Sequence, residues 1–205
     1  MKQAAVGFRV HSGWSALVTV SLENDAPTVL SRERVHLVET FSYKFRQPYH
    51  TVEKMPLEKA RAFVAGVLSG AKLLATQALR STQAELGRQG FQVERCALLL
   101  ASGRTLPSLD RILLSHALIH TADGELFREA LRHSSAHCGL KMTCIKDREL
   151  LDRGAQTLGA NQEKLLRRMT ELGRALGSPW TQDEKRGAGC LACFGGFSVK
   201  FPETE

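Results

Sequence analysis

Two pairs of histidines stand four residues apart in the sequence, His116 with His120 and His133 with His137. On an α-helix this spacing places both imidazoles on one face, where they can bind zinc or nickel. Neither pair is accompanied by an acid or a cysteine at ligand spacing. We therefore favour ordinary surface or half-buried histidines and expect no stoichiometric transition metal. A single zinc or nickel site is the alternative.

The segment 120–128 places histidine, acid and arginine side chains close together in the chain. Thr121 is a good N-cap, and Asp123 and Glu125 would then lie in the first turn, so the pattern predicts that a helix begins here. A helix start can also attract anions and hold a general acid/base pair. Plain capping is the favoured interpretation, and catalysis by Asp123 with His120 is the alternative.

The cysteines are odd in number and scattered, which is typical of a reduced, cytoplasmic protein rather than of a disulfide framework. The sequence contains five of them. Cys190 and Cys193 form a lone C-x-x-C motif in a stretch rich in glycine and alanine. Because redox activity needs an exposed, electropositive position, we expect this pair to have a structural role in helix packing.

Several classes of protein are disfavoured by what the sequence lacks. It has no G-x-x-x-x-G-K-[ST] loop, no strand-linked G-x-G-x-x-G and no G-x-S-x-G elbow. The first residues lack the apolar core of a signal peptide, and no uninterrupted apolar run approaches about 18 residues. The expectation is a protein that does not contact a membrane.

The charge favours a polyanionic partner, because 28 lysines and arginines against 21 acids give a net charge of +7. The segment 40–56 interleaves basic and aromatic side chains, among them Phe45, Arg46, Tyr49 and His50. Single-stranded nucleic acid favours this mixture, because the rings stack on bases and the cations contact phosphates. A solvated basic surface is the alternative.

The elements that must position these residues begin with three strands. Apolar residues occupy nearly every even position from Val6 to Val20, the period of a strand with one buried face. This predicts strands at about 4–10 and 14–22 joined by a tight hairpin, and a third strand at 28–39. Pro56 then begins the longest helix, which Gly87 and Gly90 end. The remaining predicted elements are a strand at 91–101, helices at 108–119 and from 121 to about 138, a strand at 140–145, and helices at 161–176 and 183–194.

This order predicts an α/β fold with a mixed five-stranded sheet, in which a three-strand antiparallel meander is followed by two parallel strands, flanked by helices. We expect one domain over residues 1–205, with a core at about 4–194 and a short tail at 195–205. The order is similar to the ribonuclease H-like superfamily, and its spacing most resembles the Holliday-junction resolvase branch. AAVGFRVHSGWSALVTV resembles the opening hairpin of that branch. QDEKRGAGCLAC resembles its closing helix, with Asp183 in the position of the terminal acid.

The departures from this family concern its metal site. Family nucleases bind two Mg²⁺ or Mn²⁺ ions through carboxylates from the first strand, the fourth strand and the last helix. Here Arg9 or His11 stands where the first-strand acid belongs, and the fourth strand ends in Ala-Ser-Gly. Glu94 lies at the wrong end of that strand. The resemblance therefore implies the fold and contact with nucleic acid, and it argues against two-metal catalysis.

Three hypotheses follow. The first is a ribonuclease H-like domain that binds nucleic acid or a nucleoprotein without two-metal catalysis. The second is a diverged, metal-dependent phosphodiesterase that uses Asp183 with Asp123 or His120, and only this one needs Mg²⁺ or Mn²⁺. The third is a protein-interaction scaffold. The residues expected to contact nucleic acid under the first hypothesis are Arg9, His11, Arg46, Tyr49, Lys185 and Arg186.

Overall fold

The structure, a computed structural model, describes residues 1–23, 26–101 and 105–193. A five-stranded sheet lies at its centre in the order β3-β2-β1-β4-β5. β1 pairs antiparallel with β2, and β2 with β3, whereas β1–β4 and β4–β5 are parallel. The predicted fold class is confirmed. The strands are β1 (Lys2–His11), β2 (Trp14–Glu23), β3 (Ala26–His36), β4 (Phe91–Leu100) and β5 (Lys141–Lys146).

Helices cover both faces of this sheet. The longest, α3, begins at Leu57 and has Pro56 as its N-cap, one residue from the predicted position. The connector expected at 40–56 contains two short helices, and a further helix that the sequence pattern did not predict follows β5. The helices are α1 (Tyr43–Arg46), α2 (Pro48–Val52), α3 (Leu57–Arg88), α4 (Leu109–Leu113), α5 (His116–His137), α6 (Leu150–Thr157), α7 (Gln162–Glu171) and α8 (Gln182–Leu191).

The predicted helix start at Thr121 is wrong. Helix α5 begins at His116 with Ser115 as its N-cap, so Thr121 lies inside the helix. Its hydroxyl donates to the carbonyl of Ala117 at 2.9 Å, the bond of a mid-helix threonine. The interruption between the two helices lies earlier in the chain, at the exposed Leu114, which follows the last residue of α4. Asp123 therefore does not lie in a first helical turn.

Alternating side chains of β1 enter two separate cores. Val6, Phe8 and Val10 pack on one side of the sheet with apolar residues of α3 and α5. Ala5 points to the other side, where residues of β2 and β4 pack with α6 and α8. β1 is therefore buried on both faces over residues 4–8, whereas its alternation indicated one buried face. Because side chains alternate along a strand, the residues of β1 that lie between these apolar positions face α8.

One helix in the described ranges, α3, is long and apolar enough to cross a membrane by length and composition. The sequence-based expectation required an uninterrupted apolar run, which the glycines, Ser69, Lys72 and Thr76 of α3 break. One face of α3 contributes Val67 and Leu79 to the core, as in a packed helix. Only 17% of its most apolar 18-residue stretch is buried, however. The absence of a membrane span therefore stays a prediction.

Candidate nucleic-acid interface

The close approach of α8 to β1 positions the first group of candidate residues. Gly7, Arg9 and His11 share one face of β1, because strand side chains alternate. A Cβ at Gly7 would lie 1.9 Å from the carbonyl oxygen of Gly187 on α8, so this contact requires glycine. Asp183 lies one helical turn before Gly187 and is carried to the same face. The glycine contact thus brings Asp183 to the carboxyl end of β1.

Five charged or titratable side chains meet there, and we call them the strand-end cluster: Arg9, His11, Asp147, Asp183 and Arg186. Arg9 Nη1 lies 3.1 Å from Asp147 Oδ2, and Arg9 Nε lies 3.8 Å from Asp183 Oδ1. His11 Nε2 lies 2.8 Å from the same Asp183 oxygen. Arg186 forms a further ion pair with Asp147. Each of the two carboxylates is therefore engaged by two basic side chains.

A second group lies beside this cluster, at the β1–β2 hairpin and on β3. The His11 ring stacks on Trp14, with centroids 4.3 Å apart, and the Arg34 guanidinium lies 3.9 Å from the centre of the Trp14 ring. Arg34 and Arg46 lie 5.5 Å and 4.4 Å from the ring of Phe41. We call His11, Trp14, Arg34, Phe41 and Arg46 the aromatic–arginine stack. A guanidinium held over an aromatic ring is attracted to the ring face and still has N–H donors for other partners.

Comparisons with known proteins agree with the strand order. A structure of Thermus thermophilus RuvC in complex with a Holliday junction substrate is similar at a TM-score of 0.54, with 10% identity over 93% of this chain and 91% of that one. A second Thermus thermophilus RuvC structure gives a TM-score of 0.50 and 11% identity, over 93% and 92%. No family profile and no curated protein matches the sequence. The chain has the ribonuclease H-like fold.

In ribonuclease H-like nucleases two divalent cations would lie at the end of β1, and the strand-end cluster does not fit them. Mg²⁺ and Mn²⁺ need several anionic oxygens without competing cations. Here Arg9 already lies between Asp147 and Asp183, and its Nε is buried with no hydrogen-bond partner among the described residues. A divalent cation at these carboxylates would have to compete with the guanidinium of Arg9. The geometry supports no step through a metal at this position.

The structure brings together some of the predicted site residues and separates others. Arg9, His11, Asp183 and Arg186 meet in the strand-end cluster, and Arg46 joins the neighbouring stack, where its Nε also donates to the carbonyl of Ser12 at 3.2 Å. Lys185 lies half-buried on the same helix as Arg186. A role of these residues in binding nucleic acid stays a prediction.

Tyr49, Asp123 and His120 belong to a different region. Tyr49 packs among apolar residues, and its backbone N–H donates to Asp123 Oδ1 at 2.7 Å. Burial raises the pKa of Asp123 above its ordinary value, and hydrogen bonds from His50 and from the Tyr49 backbone oppose that shift. Asp123 lies on α5 and Asp183 on α8, which pack on opposite faces of the sheet. The hypothesis that Asp183 acts with Asp123 or His120 is thus not supported by the structure.

Four residues of the two groups were not predicted from the sequence as site residues: Asp147, Trp14, Arg34 and Phe41. Asp147 follows β5 directly, and the carboxyl ends of the parallel strands β1, β4 and β5 lie at one edge of the sheet. An acid immediately after a predicted parallel strand is the signal that could have identified it. Trp14 fits the apolar alternation of β2, which concealed its contact with Arg34.

The C-x-x-C motif has the properties expected of packing residues. Burial raises the pKa of Cys193 to about 11 and that of Cys190 further still. The Cys190 thiol donates to the carbonyl of Gly187 at 2.8 Å, inside the contact between α8 and the sheet. Since thiolate is the reactive form, neither residue is a nucleophile at neutral pH. We expect iodoacetamide at pH 7.5 to leave both unmodified in the native protein and to modify both after denaturation, as measured by peptide mass spectrometry.

Proposed function

We propose that this chain is a ribonuclease H-like domain that binds nucleic acid or a nucleoprotein without two-metal catalysis. The observation that carries the proposal is the aromatic–arginine stack beside a strand-end cluster in which Arg9 pairs with the carboxylates. Both features lie at the carboxyl end of β1, and the resemblance to ribonuclease H-like nucleases implies that this edge of the sheet meets phosphodiesters, which supports the proposal. Arginine at this edge favours binding of a phosphate over binding of a metal.

The charges of the stack support contact with phosphates. Arg34 is exposed, and Arg46 is half-buried against Phe41 and the hairpin. Within the described residues, no ion pair joins either guanidinium to a carboxylate. Phe41 exposes 39% of its surface, so part of its ring is free to stack on a base. A surface with two guanidiniums beside an accessible ring suits single-stranded or structured nucleic acid.

Binding should depend strongly on salt. We expect micromolar affinity for single-stranded or branched DNA or RNA at 50 mM salt. Affinity should fall steeply by 200 mM, with a log–log slope of about −0.7 to −0.9 for each phosphate contacted. Fluorescence anisotropy over a salt titration measures both quantities. No binding at 50 mM salt, or a flat salt response, would remove the proposal and leave the protein-interaction scaffold.

Substitutions in the stack should weaken this binding selectively. Arg34→Gln and Arg46→Gln should each lower affinity about tenfold at low salt, because each removes a charge-assisted hydrogen bond worth about 1.5 kcal/mol. Each should also reduce the salt slope by about one phosphate contact. Phe41→Ala should lower affinity about tenfold or more without changing the slope, because a stacked base contributes about 1–3 kcal/mol.

Arg167→Gln is the matched control for the arginine variants. It removes the same charge from an exposed residue of α7 that pairs with Glu171, on a helix that belongs to neither group. Equal losses in Arg167→Gln and Arg34→Gln would mean that net charge alone drives binding. That result would contradict a specific interface at the stack.

A further inference from the structure

A third histidine, His50 of the connector, lies beside the His116/His120 pair on α5. His116 and His120 lie one turn apart on α5, and their Nε2 atoms are 3.0 Å apart. The ring of His50, on α2, lies 5.2 Å from the ring of His116 and 4.4 Å from that of His120, measured between centroids. One ring nitrogen from each of the three residues lies within 4.8 Å of the others. Three imidazoles therefore converge on a single point.

Asp123 orients His50, the most buried of the three histidines. His50 is almost fully buried and bonds through Nδ1 to Asp123 Oδ2, while the other oxygen of Asp123 accepts the backbone N–H of Tyr49. Because Nδ1 is occupied by the carboxylate, Nε2 of His50 is the nitrogen left for a ligand. A carboxylate that orients a histidine through its second nitrogen is the arrangement found behind histidine ligands of zinc.

We propose that His50, His116 and His120 bind one first-row transition metal ion, with zinc as the best match. Zinc takes imidazole nitrogens at about 2.0–2.1 Å in tetrahedral geometry, which places ligand nitrogens about 3.3 Å apart. The Nε2 atoms of His116 and His120, 3.0 Å apart, are close to this value, and a ring nitrogen of His50 lies within 4.8 Å of both. His116 and His120 are exposed, so small rotations of their side chains bring them into position around the fixed His50.

The chemistry of the ligands selects the class of cation. Neutral imidazoles suit zinc, copper, nickel and cobalt, whereas Mg²⁺ and Ca²⁺ prefer oxygen ligands. Three protein ligands leave a fourth position, and the exposure of His116 and His120 opens that position to solvent. The site is separate from the strand-end cluster, since its ligands come from α2 and α5. The expectation that the protein lacks a transition metal rested on the pair alone, and His50 supplies the ligand that the pair was missing.

Titration of chelator-treated full-length protein tests this site. With Zn²⁺ in a calorimeter, we expect one ion per chain, and with Co²⁺ we expect the intense visible absorption of a tetrahedral site. His116→Gln and His120→Gln should each weaken binding at least 100-fold, and Asp123→Asn should weaken it about 10- to 100-fold. Because His116 and His120 are exposed, their variants should keep the wild-type circular dichroism spectrum, so a loss of binding is not a loss of folding.

The second histidine pair provides the matched control. His133 and His137 have the same spacing on the same helix, and His137 Nε2 lies 3.1 Å from Arg80, whose positive charge disfavours a metal there. His133→Gln should leave Zn²⁺ affinity and the Co²⁺ spectrum unchanged. The proposal is overturned if wild-type protein binds no Zn²⁺, if Co²⁺ gives only the weak absorption of an octahedral ion, or if His116→Gln and His133→Gln behave alike.

Discussion

Replacing Gly7 by alanine is expected to destabilise the protein by about 3 kcal/mol, near the upper end of the cost of overpacking a core. The added methyl group would lie 1.9 Å from the Gly187 carbonyl oxygen and 3.1 Å from the Cys190 sulfur. Both neighbours belong to α8, so the helix must move away from the sheet. For a chain of this length the melting temperature should fall by about 10 °C, as measured by circular dichroism.

The matched control for Gly7→Ala is Gly66→Ala. Gly66 lies inside α3, and apart from its chain neighbours and the backbone of its own helix no described heavy atom lies within 4 Å of the position of its added Cβ. Alanine in a helix interior should stabilise the protein by about 0.5–1 kcal/mol, because glycine loses more backbone entropy on folding. Opposite changes in the two melting temperatures would support the contact between α8 and β1. A Gly7→Ala protein that melts with the wild type would show that α8 does not approach β1 as described.

The displacement of α8 should also appear in binding. Asp183 lies at the start of α8 and contacts both Arg9 and His11, and His11 stacks on Trp14. A shifted α8 therefore releases one end of the aromatic–arginine stack. We expect folded Gly7→Ala protein, measured well below its melting temperature, to bind nucleic acid more weakly than Gly66→Ala.

A second expected result is that the protein does not cleave nucleic acid in a metal-dependent reaction. We expect no Mg²⁺- or Mn²⁺-dependent hydrolysis of junctions, flaps, RNA–DNA hybrids or single strands. A guanidinium about 4 Å from a cation repels it by about 4 kcal/mol for each unit of its charge at an effective dielectric near 20. Arg9 and Arg186 both lie at the carboxylates that a metal would need. Asp147 and Asp183 are neutralised by these two arginines, which leaves no surplus negative charge in the cluster to hold a divalent cation.

The decisive comparison is wild type against Asp183→Asn on each substrate with both metals. Cleavage by the wild type that Asp183→Asn abolishes would overturn the non-catalytic proposal and support a diverged nuclease. Equal trace activity in both proteins indicates a contaminating nuclease. The variant Arg9→Asp tests the opposite change, because it replaces the guanidinium by a third carboxylate beside Asp147 and Asp183. We expect this variant to bind Mg²⁺ more tightly than the wild type in a calorimetric titration.

Some features of this protein are determined by local sequence. The alternation from Val6 to Val20 predicts the first two strands, and β1 and β2 are observed as Lys2–His11 and Trp14–Glu23. The three- and four-residue apolar spacing after Pro56 predicts α3. The start of α8 is also local, since the Thr181 side chain and Glu184 form a capping box. Periodicity and capping depend on residues a few positions apart, so they can be recognised without the fold.

The start of α5 shows where local signals mislead. Thr121 is an acceptable N-cap and acids follow it, which predicted a helix start there. In the folded chain, Ile119 and Ala122 are fully buried, which extends the helix back to His116. Tertiary packing outweighed the capping preference, because burying apolar side chains contributes more than one cap.

The two candidate sites were decided by tertiary structure. His11 and Asp183 are 172 residues apart in the chain, and His50 and Asp123 are 73 residues apart. The resemblance to resolvases anticipated the first pair, because family topology brings the last helix to the first strand. No pattern linked His50 to the α5 histidines, or Asp147 to Arg9. Such contacts depend on how α2 and the carboxyl ends of parallel strands pack, and side-chain spacing along one segment carries no information about packing between distant segments.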